Sequence, residues 1–359
     1  MSINTGENHH TKTRHTTSIC WYCVKITIRW KGATTIKLRR LILPTTILII
    51  VAVITFMTSF DDSPETEPTK LVNHEDTELP KSPSEAPRLD DQLPGDQSQD
   101  QTTLNHLEDE LHDIVEDSEG QYGIHVQILN ANMSRTIQIR AGEPFFAASL
   151  YKIPLVLQLY EKALSESIDL DTEIVYKEEY FATGAGILEE EEPGSSYDLR
   201  YLSALSIIHS DNIAANMLRK ELGLAALQNY QEDLGAEEVC VYENLASPHD
   251  IGLFLDHLLK LTEEHPDLFT EIIDWMKEAY PRDRIPAGIP NEVSVASKTG
   301  TWPGTETYND AALIFCNDGT VISLVVMSED VPTYSEGMTT IADIASTVYD
   351  HLYDIFCDE

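Results

Sequence analysis

The sequence predicts an α+β domain: an antiparallel sheet flanked by helices and completed by an all-helical insertion. Three observations predict it. Alternating, β-branched runs stand near both ends of the region from residue 103 onward, at 122–129, 136–140, 294–298, 311–316 and 321–327. Between them the pattern is mainly helical, and a final periodic run, Ile341 to Phe356, closes the chain as a helix. Asn317-Asp318-Gly319, set between the last two strand runs, is a strong hairpin turn.

The segments before this domain differ in composition. Residues 1–40 hold eight Lys or Arg against one acid, Glu7, in a chain of 359 residues and net charge −37, so the remainder carries −44. Residues 41–60 then run without a charge, from Leu41 to Phe60. About 20 such residues suffice to cross a bilayer as a helix, so 41–60 is a transmembrane anchor candidate. Basic residues before it and acids after it orient the amino terminus to the cytoplasm. A cleaved signal peptide fits less well, because the preceding forty residues are long and no Ala-x-Ala site follows Met57. Residues 61–102 read as an acidic, Pro-rich linker. Six prolines, twelve acids and three bases in 61–100 leave too little apolar surface to offset chain entropy.

The folded domain is expected over 103–359. Leu104, Leu107, Leu111, Ile114 and Val115 recur at helical spacing, predicting an amphipathic first helix. The runs at 122–129 and 136–140 flank Asn130 to Ser134 and read as a hairpin. An apolar helical run then begins near Ser149. Another, Leu202 to Ile208, leads into Ser210, and Ile213 to Leu218 follows as a helix that Ser210-Asp211-Asn212 could cap.

Ser149 and Lys152 stand three apart, which on a helix places both on one face. A serine hydroxyl attacks only when something takes its proton, and an amine shielded by apolar neighbours has its pKa lowered enough to do so. Ser149 is therefore the candidate nucleophile and Lys152 its base. About one Ser-x-x-Lys is expected by chance in a chain of this composition, so the pair alone decides nothing. Ser210-Asp211-Asn212 and Lys298-Thr299-Gly300 follow it in order. Lys298 and Gly300 point to one side of their strand and Thr299 to the other.

With these three motifs the chain resembles the penicillin-recognising serine hydrolases, class A β-lactamases and D,D-peptidases, whose signature is Ser-x-x-Lys, Ser-Asp-Asn and Lys-Thr-Gly. The likeness extends over about residues 104–357, through Gly184 to Leu188, Pro193-Gly194, Tyr197 to Arg200 and Ile208 to Leu218. It implies a five-stranded antiparallel sheet with a helical subdomain and the active site between them. It also implies roles: an oxyanion hole from the N–H groups of Ser149 and Thr301, and a proton relay to the leaving nitrogen through Ser210. Asn212, Lys298, Thr299, Gly300 and Thr301 would contact substrate, a β-lactam or a peptidoglycan stem peptide. Asp211 is assigned a structural part. One departure bears on turnover: the class A pattern Glu-x-x-Leu-Asn, whose glutamate activates the deacylating water, is missing between Asn212 and Lys298. The stretch Leu234 to Pro248 looks shortened, and Glu243 there is a weak substitute.

Other chemistry is not indicated. Cys20 and Cys23 lack the four ligands of a structural zinc site; Cys240, Cys316 and Cys357 are odd in number and define no disulfide framework, leaving room for one bridge. His125 lies in an apolar strand and His249 follows a proline; neither belongs to a sequence pattern for metal binding, and no cofactor is expected. The acidic outer part argues against nucleic acid. The resulting expectation is a membrane-anchored, extracytoplasmic serine hydrolase that forms an acyl-enzyme. A D,D-carboxypeptidase differs from it mainly in substrate. A non-catalytic cell-wall-sensing module is the reading from another class, to be recognised by stoichiometric binding without a covalent adduct.

Overall fold

The computed structural model describes the backbone of residues 25–28, 36–39, 95–129 and 135–356, with side chains for 102–129 and 135–353. The chain divides into two units, Met1–Leu89 and Asp90–Glu359. In the first, β1 (Lys25–Ile28) pairs antiparallel with β2 (Ile36–Arg39), a hairpin that the basic composition of 1–40 had not suggested. The anchor candidate 41–60, the linker up to residue 94 and the turn 130–134 lie outside the described residues, as do Cys20, Cys23 and Cys357. Among the described residues no helix is long and apolar enough to cross a membrane.

The second unit opens with α1 (Gly95–Asp117), which begins inside the stretch read as linker rather than near Thr103. Its first turns are polar, so no apolar periodicity announces them. The hairpin β3 (Gln121–Leu129) and β4 (Arg135–Ile139) follows, then the short β5 (Phe145–Phe146) and α2 (Lys152–Leu164). The helical part comprises α2, α3 (Leu199–Ile208), α4 (Asn212–Leu222), α5 (Leu224–Asp233), α6 (Pro248–Glu264) and α7 (Pro266–Glu278). Two small ladders punctuate it: β6 (Glu173–Val175) with β7 (Ser196–Asp198), and β5 with β8 (Leu245–Ala246). The chain returns to the sheet through β9 (Ser294–Trp302), β10 (Thr307–Phe315) and β11 (Val321–Glu329) and ends in α8 (Tyr334–Phe356).

The five long strands form one antiparallel sheet in the order β4-β3-β11-β10-β9. The expected five-stranded α+β architecture is therefore present, with β9 and β10 longer than their apolar patterns predicted. Alternation splits the core in two. Tyr122, Ile124, Val126 and Ile128, with Ile322, Leu324 and Val326, pack against Leu104, Leu107 and Leu111 of α1 and Ile341, Ile344 and Val348 of α8. Val321, Val325, Met327, Ala311 and Leu313 face the other way, onto α2, α6 and the helical part. In α2 every residue from Lys152 to Tyr160 is buried, as expected of a helix enclosed on all sides.

His125 is a satisfied core histidine. It sits between Gln138 Nε2 and Gln127 Oε1, each at 3.3 Å, and burial lowers its pKa to about 4. Cys240 and Cys316 are both disulfide-bonded, which their odd number in the outer part had left open.

Candidate active site

Ser149 lies on a 3-10 turn, Ala148–Tyr151, that leads directly into α2. The cause is Pro154. It has no N–H for the carbonyl four residues earlier, so the α-helical ladder starts at Lys152 and the preceding turn winds more tightly. Ala148, just before the nucleophile candidate, has φ 48°, a left-handed conformation for a non-glycine residue. Such a residue costs on the order of 1–3 kcal/mol and persists only where its surroundings fix it. Here Asn244 Nδ2 donates to Ala148 O at 3.0 Å, and Ala147 N donates to Asn244 O at 2.8 Å. Asn309 Nδ2 donates to Phe146 O at 2.9 Å and Ala147 O at 3.2 Å. Phe146 N donates to Glu329 Oε1 at 2.6 Å.

Lys152 Nζ is fully buried and lies 3.3 Å from Ser149 Oγ, 3.2 Å from Ser210 Oγ, 2.8 Å from Asn212 Oδ1 and 2.5 Å from Ser210 O. Burial drives its pKa well below that of an ordinary lysine; the charge of Lys298 adds to this, and Asp211 opposes it. A neutral amine suits this arrangement. Its two N–H bonds serve the carbonyl of Ser210 and the amide oxygen of Asn212, leaving a lone pair for a hydroxyl proton.

Ser210-Asp211-Asn212 enters from the α3–α4 connection. Asp211 caps α4, its Oδ1 accepting from Ala214 N at 2.9 Å, while its Oδ2 accepts from Ile187 N at 2.7 Å and Leu188 N at 2.8 Å. The capping reading of the motif holds, and it holds together with a place for Ser210 in the cleft. Ser210 itself has φ 52°. Gly186, at φ 121°, cannot be anything else: a Cβ there would stand 2.2 Å from Asp211 Oδ2. Asn212 Nδ2 donates to Thr183 O at 3.0 Å, tying the same loop to the motif.

The third motif is on β9, at the sheet edge. Lys298 Nζ donates to Ser210 Oγ at 3.0 Å and to Thr299 O at 2.9 Å, so Ser210 bridges the two lysines. Burial lowers the Lys298 pKa to about 7, Arg284 adding to the shift and Asp310 opposing it; burial raises Asp310 to about 6, against the pull of Arg284. Gly300 is needed for packing rather than only for substrate approach. A Cβ there would meet Ala147 O at 2.9 Å and Ser149 N at 3.2 Å, so the strand lies flush against the nucleophile turn. Thr299 is buried on the other face of the strand, and Thr301 is exposed, its hydroxyl accepting from Arg284 Nη2 at 2.5 Å.

The structure thus brings Ser149, Lys152, Ser210, Asn212 and Lys298 into one hydrogen-bonded cluster, with Gly300 packed on the nucleophile turn and Thr301 exposed beside it. The Thr299 side chain, expected to contact substrate, instead faces the opposite side of the strand, because side chains alternate along it. Sequence reasoning missed Arg284, Asn309 and Asn244. Arg284 is fully buried and also donates to Asn309 O at 2.7 Å and to Met338 Sδ at 3.0 Å. The signal for Asn309 was present: Asn309-Asp310 interrupts an otherwise apolar strand.

The sequence profile of the β-lactamase enzyme family matches residues 106–352. The chain belongs to the β-lactamase enzyme family. Among curated relatives, the carbapenem-hydrolysing β-lactamase KPC of Klebsiella oxytoca is 25% identical over 240 residues, covering 59% of this chain and 77% of that protein. A β-lactamase of Bacillus licheniformis is 25% identical over 242 residues, covering 62% and 76%. Among solved structures, a mutant of PBP-A in an acyl-enzyme complex with penicillin G matches with TM-score 0.64 at 22% identity, over 70% of this chain and 97% of that one. The fold of this β-lactamase-family domain is that of the class A serine hydrolases.

The stretch from 234 to 248 has a definite shape. Cys240 N donates to Leu245 O at 2.9 Å and Leu245 N to Cys240 O at 3.1 Å, so the chain reverses tightly and β8 pairs at once with β5. Asn244, at φ 56°, turns its side chain to the nucleophile turn, and Glu243 beside it is half-exposed.

Proposed function

We propose that this chain is a membrane-anchored, extracytoplasmic serine acyl-transfer enzyme that acylates Ser149 with β-lactams or D-alanyl-D-alanine-type amides and releases the acyl group slowly. The observation that carries the reading is Lys152: a buried amine with a depressed pKa, in reach of both Ser149 Oγ and Ser210 Oγ. Ser149 Oγ attacks the carbonyl carbon while its proton passes to Lys152 Nζ. The C–N bond then breaks, and the proton reaches the leaving nitrogen through Ser210 Oγ, held 3.0 Å from Lys298 Nζ. The N–H groups of Ser149 and Thr301 would receive the oxyanion, because Ser149 N lies against Gly300, one residue before Thr301. Lys298, with Thr301 and the buried Arg284, supplies positive charge and a hydroxyl for the substrate carboxylate. Slow release follows from the tight 240–245 turn, which leaves Glu243 as its only acid. The charge-free stretch 41–60 supports the anchor, and the acidic residues after it support reach from the membrane.

Incubation of the full-length chain with a fluorescent penicillin tests this. The wild type is expected to carry one persistent label detectable by intact-mass spectrometry, and Ser149→Ala none. Equal labelling of both removes Ser149 from the mechanism. Rapid loss of the adduct from the wild type removes the slow-release half and returns an ordinary β-lactamase.

A further inference from the structure

The first and last helices of the β-lactamase-family domain bring together three side chains that the proposed acyl transfer does not use. His106 and Glu110 are one turn apart on α1, and His351 is on α8. His106 Nδ1 lies 3.1 Å from His351 Nε2 and 3.3 Å from Glu110 Oε1, and His351 Nε2 lies 3.6 Å from Glu110 Oε2. A tetrahedral ion with ligand bonds of about 2.0–2.1 Å sets ligand-to-ligand separations of roughly 3.3 Å. The His106–His351 separation of 3.1 Å and the His106–Glu110 separation of 3.3 Å lie close to that value. Glu110 faces His351 through its other oxygen, Oε2, at 3.6 Å, and one ligand atom from each of the three lies within 4.8 Å of the others.

The tautomer agrees. His351 Nδ1 is 2.9 Å from Thr347 O, a carbonyl that can only accept, so Nδ1 carries the hydrogen and Nε2 turns its lone pair toward His106 and Glu110. A backbone carbonyl fixing the distal nitrogen of an imidazole is the usual support of a metal-ligating histidine. Two imidazole nitrogens at 3.1 Å with a carboxylate against both can share either the Nδ1 hydrogen of a neutral His106 or a metal ion, and the near-tetrahedral spacing with Glu110 favours the metal.

We propose that His106, Glu110 and His351 form a site for a divalent first-row ion of the zinc class, which clips α1 to α8. Two imidazoles and a carboxylate suit Zn2+ and exclude an all-oxygen preference such as that of Ca2+ or Mg2+. The ligands are 245 residues apart at their widest, so the ion closes almost the whole domain into a loop, as a long-range cross-link would. Its place is on the α1–α8 layer, whose core is on the opposite side of the sheet from that of the nucleophile helix.

The test uses the full-length chain, stripped with EDTA and re-equilibrated with Zn2+, comparing wild type, His106→Ala/His351→Ala and His112→Ala, an exposed α1 histidine outside the cluster. Because His9, His10, His15, Cys20 and Cys23 can also take zinc, the readouts are differences: bound zinc per chain and the Tm response. The double variant is expected to bind one equivalent fewer and to lose a Tm rise of about 5 °C seen in the wild type at hundredfold excess over Kd, with His112→Ala unchanged. Circular dichroism confirms that each variant is folded. Equal stoichiometry in wild type and double variant overturns the site, and an equivalent lost without any change in the Tm response overturns the clip.

Discussion

At the scale of single residues, the site depends on one amine being neutral where lysines are usually charged. Burial supplies most of the effect on Lys152, and the neighbouring Lys298 charge pushes the same way. The direction sets a pH profile. The acylation rate constant for a penicillin should climb with pH as Lys152 loses its proton and level off well below the 10.5 of an ordinary lysine. A rate that still rises at pH 10 would show an ordinary lysine. Lys152→Met, which keeps the bulk and removes the base, should slow acylation by about 10²–10⁴ while the thermal melt stays cooperative. Measuring both with the same fluorescent penicillin separates loss of the base from loss of the fold.

Elements, rather than residues, decide whether those groups meet. The α3–α4 connection delivers Ser210 because Asp211 accepts from three backbone N–H groups, two of them in the 186–188 loop and one at the start of α4. Asp211→Asn leaves one oxygen for three donors and should cost about 1–3 kcal/mol, read by urea unfolding. Gly186→Ala adds a methyl into the Asp211 carboxylate at a positive φ and should cost more than Asp211→Asn; a smaller loss would mean that the loop relaxes freely. The three motifs were legible in the sequence because each is a contiguous triplet or quartet placed on a periodic element. The strands were legible because alternating burial splits their side chains between two cores. Arg284 was not, because its importance comes from burial between β9 and Met338, which no local pattern encodes. The start of α1 at Gly95 was hidden by a polar first half, and the His106–Glu110–His351 cluster by the distance along the chain between its members.

For the molecule as a whole, the cleft is bought at the expense of stability: two lysines are buried on the side of the sheet that packs the helical part. The cost can be read from pH. The folded pKa of Lys298, about 7, lies below its unfolded value near 10.5, so between those limits the unfolded chain binds the extra proton. Stability contributed by this group is present above about 10.5 and is lost as pH falls through 7. Asp310 shifts the opposite way, from 3.8 to about 6, so its contribution is present below 3.8 and lost as pH rises through 6. The two windows do not overlap, and Lys298 can be read alone above pH 7. Subtracting the unfolding free energy of Lys298→Met from that of the wild type, in urea at pH 7.5, 8.25 and 9, should give a difference that rises in favour of the wild type by about 1 kcal/mol per pH unit. Lys152 is common to both proteins and cancels to first order. A difference that stays flat across that range would place the Lys298 ammonium in an ordinary, solvated environment, and with it would fall the picture of a dry cleft in which Ser210 bridges two amines.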